Sequence, residues 1–175
     1  MTEVIISEIP KAHPKIRVKD WLAPLVRRLI ACDRYEDGKR TIQFDLLTKD
    51  GTERKELCVF LWAAFQQDFD QVCRTYQAHI LTEFATCALA CASVEKFANS
   101  EITDVTYRGE CVDYWIGDKE FVLEVSGQES GHLRHLYKVK LHQFLDNPME
   151  KDGYVCVANY SEGSARFGFH AYESR

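Results

Sequence analysis

A chain of 175 residues is the size of one domain and can bury a core of its own without disulfides or structural metal. Its 46% apolar and 28% charged residues are those of a folded globular protein, which excludes disorder and low complexity. The net charge of −5 excludes a uniformly basic nucleic-acid binder, and the longest apolar stretch, Phe84 to Ala92, is too short to span a bilayer.

Residues 1–19 are polar and punctuated by Pro10 and Pro14, which predicts an arm or a loose edge strand. Asp20 is placed to cap a helix in which Trp21, Leu22, Leu25, Val26, Leu29 and Ile30 recur at helical spacing, with Pro24 tolerated near its first turn. Thr41 to Leu47 alternates as a strand, Lys49-Asp50-Gly51-Thr52 signals a turn, and Leu57 to Trp62 returns. Residues 64–98 are helical: Gln66 to Tyr76 is amphipathic, while Ala78 to Ala98 is apolar nearly all round and predicts a central buried helix. His79, Glu83, Thr86 and Ser93 fall near one stripe of it. A three-strand meander over 102–107, 111–116 and 121–127 follows. Gly131 to Leu145 is a second amphipathic helix, stopped by Asn147-Pro148. Strands at Tyr154 to Tyr160 and Arg166 to Tyr172 come last. This order predicts a single α+β (α/β) domain, a central mixed sheet flanked by helices, with an N-terminal helix and strand pair in 1–63.

Seven cysteines, Cys32, Cys58, Cys73, Cys87, Cys91, Cys111 and Cys156, are scattered without a Cys-x-x-Cys pair. With no signal peptide at the first residues, they predict free thiols in a reducing cytoplasm. Cys87 and Cys91, in an Ala-rich run, read as core.

The stretch Cys111 to Ser126 carries the chemistry. Alternation separates an apolar face (Val112, Tyr114, Ile116, Phe121, Leu123, Val125) from a second face holding Cys111, Asp113, Trp115, Val122, Glu124 and Ser126. A two-residue turn at Asp118-Lys119 places Asp113 directly opposite Glu124. Facing carboxylates repel, so they call for a cation, a shared proton or free solvent. Hard divalent ions such as Mg²⁺ are bound by one or two carboxylates with water and phosphate oxygens.

An Asp on one strand, then a hairpin, then Glu-x-Lys on the next, with helices before and after, is the pattern of the PD-(D/E)XK, restriction-endonuclease-like nucleases. Residues 78–160 of this chain resemble it, with Asp113 and Glu124-Val125-Ser126 at the motif positions. The resemblance implies a nuclease-like core, Mg²⁺ or Mn²⁺ held by Asp113 and Glu124, and Glu83 (with Glu95 as its rival) as an additional acid. The chain departs from the pattern at the motif lysine, where Ser126 stands. Ser126 and Gln128 on the same face could position water but supply no charge, and a cation from the following helix, Arg134 or Lys138, would have to serve.

Charge is unevenly distributed. Residues 99–130 hold eight acids and two bases, Arg108 and Lys119, whereas 131–145 hold Arg134, Lys138 and Lys140 and no acid. Leu133, Leu136, Tyr137, Leu141, Phe144 and Leu145 form the predicted buried face of that helix; Arg134, His135, Lys138 and His142 form the outer one. Clustered cations beside carboxylates suit phosphate contacts. A zinc site on His132 and His135 lacks further ligands. Two functional expectations follow: a Mg²⁺-dependent nuclease with nucleic acid as partner, or a non-catalytic scaffold of the same fold in a defence or DNA-processing assembly, bound to protein or to its own copy. Neither involves a membrane.

Overall fold

The computed structural model describes residues 1–30, 38–63, 66–107 and 109–172. Cys32 and Arg108 lie outside them. In chain order the elements are β1 (Thr2–Ile5), a 3₁₀ turn (Ile6–Glu8), α1 (Ile9–Ala12), α2 (Lys19–Ile30), β2 (Lys39–Leu47), β3 (Glu53–Leu61) and α3 (Gln66–Thr75). Then come α4 (Ala78–Ser93), a π turn (Val94–Ala98), β4 (Ile102–Val105), β5 (Tyr114–Ile116), β6 (Phe121–Gln128), α5 (Leu133–Leu145), β7 (Gly153–Asn159) and β8 (Ser164–His170).

All eight strands join one mixed sheet in the order β1-β3-β2-β8-β7-β6-β5-β4. The α+β expectation holds. β6 and β7 run parallel, with α5 as the crossover between them. The crossover helix covers one face of the sheet and α2 with α4 the other, so both are buried. One core packs α2 and α4 against Phe44, Phe60, Leu123, Tyr154 and Phe167; a smaller one packs Leu133, Tyr137 and Phe144 of α5 against Trp115, Val122, Val155 and Val157. β7, between the two, is buried along its whole length.

α4 is the buried helix that its composition predicts, and Cys87 and Cys91 lie in it as core residues. It crosses β6 at Gly127, where a Cβ would lie 1.9 Å from Thr86 Oγ1. Only glycine lets helix and strand approach so closely. The six described cysteines are free thiols.

Several boundaries differ from expectation. Of the two readings of the N-terminal segment the edge strand holds and the arm does not: β1 pairs parallel with β3 at the edge of the sheet, and Ile6, Ile9, His13 and Val18 beyond it are buried. His13 is fully buried, with Nε2 2.9 Å from the Cys91 carbonyl and Nδ1 accepting the Ile102 N–H at 2.8 Å. Because Nδ1 accepts, Nε2 carries the proton and donates, so the ring is neutral and ties this segment to α4 and β4. α2 begins one residue before Asp20, which leaves Pro24 inside the helix. No helix among the described residues is long and apolar enough to cross a membrane.

Candidate functional site

The hairpin register agrees with the sequence, though its turn does not. Tyr114 pairs with Leu123, Trp115 with Val122 and Ile116 with Phe121, the register that sets Asp113 against Glu124. The connection spans 117–120 rather than two residues, with Gly117 and Lys119 both at positive φ. Val112 leaves the predicted apolar face for the α5-side core, since β5 begins only at Tyr114 and the backbone before it turns through Cys111 at φ 60°.

Asp113 lies one residue before β5 and is held from both sides. Its N–H donates to the Leu123 carbonyl at 2.9 Å, and its carbonyl accepts the Thr106 N–H at 3.0 Å. Its carboxylate Oδ2 accepts the Val125 N–H at 2.7 Å while the residue stays open to solvent. Glu124 is the opposite case: it is 1% exposed, under α5. Its Oε1 accepts from Lys140 Nζ at 2.7 Å, and its Oε2 is buried without a hydrogen-bond partner. Lys140 reaches in from α5 with its side chain 22% exposed and also donates to Gln143 at 3.1 Å.

Electrostatics separate the two acids. Burial, then the Asp113 charge, push Glu124 up to about 7 against the opposing pull of Lys140. Asp113 is also raised, chiefly by burial and further by Glu83, against the Val125 N–H and Lys140. Because Asp113 keeps much of its surface in water, we regard its displacement as the weaker of the two.

The structure therefore brings Asp113, Glu124 and Lys140 together, with Glu83, exposed on α4, in electrostatic range of Asp113. Glu95, the rival acid, lies in the π turn, paired with Lys96 at 2.7 Å, and its charge acts on His13. Ser126 and Gln128 follow Glu124 on β6, partly buried, and Gln128 Nε2 is buried without a partner. Arg134 and Lys138 are exposed on the outer side of α5, so the cation on Glu124 comes from another turn of that helix. Lys140 was the residue missed from the predicted site. Its signal was spacing: Leu133, Tyr137, Lys140 and Phe144 are separated by four, three and four residues, which sets a lysine within an otherwise buried stripe.

The chain matches no protein-family model, no curated protein and no solved structure. What the site can do rests on its own chemistry. No group of three or more His, Cys, Asp or Glu suited to a metal is present among the described residues. A Mg²⁺ ion needs no such group, since one or two carboxylates with water and substrate oxygens suffice. Glu124 Oε2 finds no donor, and its carboxyl lies within hydrogen-bonding range of the solvent-facing Asp113 carboxylate; the pair fits that requirement and equally fits a shared proton.

Proposed function

We propose that the protein is a divalent-metal-dependent phosphodiesterase acting on nucleic acid, a divergent relative of the PD-(D/E)XK nucleases in which Lys140 does the work of the absent motif lysine. The observation that carries this reading is the Lys140 ammonium, 2.7 Å from the buried Glu124 carboxylate and adjacent to Asp113. A structural surface pair has no need of a buried carboxylate with a second acid beside it. The order helix, three antiparallel strands, helix, parallel strand from α4 to β7 also supports it.

In this reading Asp113 and Glu124 hold Mg²⁺ or Mn²⁺, and Glu83 adds negative charge from α4. The metal, when bound, supplies a Lewis acid for the phosphodiester and a water of lowered pKa. Lys140 offsets charge developing on the phosphate, and Ser126 and Gln128 orient water at the end of β6. Arg134 and Lys138, on the acid-free outer face of α5, contact the strand's phosphates without reading its sequence.

The degree of burial of Glu124 favours a second reading, a scaffold that keeps the fold without catalysis and binds a protein or its own copy. One experiment separates them. Labelled single- and double-stranded DNA and RNA are incubated with the native chain and with Asp113→Asn, Glu124→Gln and Lys140→Met, in Mg²⁺, Mn²⁺ or chelator. Metal-dependent cleavage that falls at least a hundredfold in each variant is expected. Cleavage indifferent to these substitutions would sink the site, and no cleavage together with no calorimetric Mg²⁺ or Mn²⁺ binding leaves the scaffold.

A further inference from the structure

On the face of the sheet away from Asp113 and Glu124, a cavity of about 500 Å³ opens between the β2–β3 hairpin and the π turn. Phe97, delivered by the π turn, is partly exposed to it, backed by Tyr154 and Phe167, which stack on each other at 4.9 Å and 9° and are 4% and 2% exposed. Leu46 completes the floor. In the sheet Leu46 pairs with Phe167 on one side and with Arg54 on the other, so the arginine rises from the same row onto the rim.

The rim is cationic. Lys49 lines the rim and holds its ammonium 3.8 Å from the centre of the Phe121 ring and 5.4 Å from that of Phe169, beside the cavity. Among the described residues no carboxylate pairs with Lys49 or Arg54. Glu56, two along β3 from Arg54, bonds the Met1 ammonium at 2.9 Å and the Thr2 hydroxyl at 3.1 Å and feels Arg54 only through its charge. Asp50 is also on the rim, its carboxylate turned toward the Thr48 hydroxyl and the Thr52 N–H, which hold it ionised and leave the rim with a net charge of +1 from Lys49, Arg54 and Asp50. At the floor, no protein group among the described residues hydrogen-bonds the Tyr154 hydroxyl.

A ligand that fits has a flat ring for the Phe97 face, polar ring edges for the Tyr154 hydroxyl, and an anion for the two rim cations. We propose that this cavity binds a nucleoside monophosphate unit, base inward against Phe97 with an edge toward the Tyr154 hydroxyl, and phosphate outward on Lys49 and Arg54. The size matches sites that enclose small organic ligands. Stacking and charge-assisted hydrogen bonds are the two terms that would hold it. The unit is either a free nucleotide or the 5′-terminal nucleotide of a strand; the chemistry is the same. The proposal does not depend on the carboxylate site being catalytic.

The test follows the full chain by calorimetry and by amide chemical shifts with AMP, adenosine, inorganic phosphate, and short oligonucleotides with and without a 5′-phosphate. Saturable AMP binding that shifts the amides of Phe97, Tyr154 and Phe167 is expected, at least tenfold tighter than adenosine or phosphate alone. Lys49→Ala and Arg54→Ala each weaken it roughly tenfold, as loss of a charge-assisted bond does, and leave adenosine within about twofold. Binding of the 5′-phosphorylated strand but not of AMP supports the same site and identifies the strand end as its source. Asp113→Asn retains the binding whatever it does to cleavage. No saturable binding of either probe, insensitivity to both rim substitutions, or loss in Asp113→Asn overturns the proposal.

Discussion

Glu124→Gln should make the protein more stable above neutral pH, and the structure sets the size of the gain. Glu124 titrates at about 7 in the folded chain against an ordinary 4.5. A folded value raised above the unfolded one means that its contribution is fully present below 4.5 and is lost as pH rises through 7. At 1.36 kcal/mol per pH unit, the ionised carboxylate costs about 3 kcal/mol at pH 8 and above. Glutamine removes that cost but also the charged partner of Lys140, which is 22% exposed and partly recovers its hydration; a loss of about 1 kcal/mol is appropriate there. The net expectation is a variant about 2 kcal/mol more stable at pH 8, an advantage that shrinks with falling pH and is gone by about pH 5. Urea unfolding of both proteins at pH 5, 6, 7 and 8 reads the effect of the Glu124 site together with the Asp113 carboxyl coupled to it, the other titrating groups being common to the pair. Mg²⁺ at pH 8 should stabilise the native chain and not the variant. If the two proteins keep a constant difference across the pH range, or if the variant is weaker at pH 8, the assignment of Glu124 as a buried, functionally retained acid is wrong.

Three further outcomes are expected. Lys140→Met raises the Glu124 pKa further, so the Glu124 carboxyl, followed by ¹³C chemical shift, titrates above 7 in that variant, whereas Lys138→Ala leaves it in place. Gly127→Ala forces a Cβ onto Thr86 Oγ1 and within 3.1 Å of Thr82 Cγ2, which costs about 2–3 kcal/mol of overpacking in a denaturant melt; Thr86→Ala in the same chain should return part of it. His13 is lowered from 6.5, chiefly by burial. A depressed value stabilises above 6.5 and the benefit is lost as pH falls through the folded value, so acid unfolding of His13→Gln should be shallower than that of the native chain, from a starting stability lower by about 2 kcal/mol.

The element types from α2 onward were readable because long periodic runs carry their own burial signal: Ala78 to Ala98 is apolar on all sides and lies between α2 and the sheet. The carboxylate pair was readable for the same reason, since strand alternation and register suffice to oppose Asp113 and Glu124. What escaped depended on tertiary placement. Nothing local to Thr2–Ile5 reveals that it pairs with β3, because a four-residue edge strand owes its order to a partner more than fifty positions away. Strand alternation names the residues of the face shared by Trp115 and Val122 but not what covers it, which is α5 returning over it. Lys140 was grouped by charge with its helix neighbours, whereas its position in the Leu133, Tyr137, Phe144 stripe decides where it points.

β8 stands between β2 and β7, so the strand pair near the start of the chain and the carboxylate-bearing meander are halves of one sheet only after residues 164–170 arrive. Until then β7, buried along its length in the finished protein, is an uncapped apolar edge, and β2 is another. Closing the sheet links Gln43 to Ser164, a long loop whose entropy must be spent before any contact repays it. Folding is therefore gated by a late, non-local step during which two sticky edges wait for a single strand, and a chain cut before Ser164 should aggregate through them instead of folding as two separable pieces.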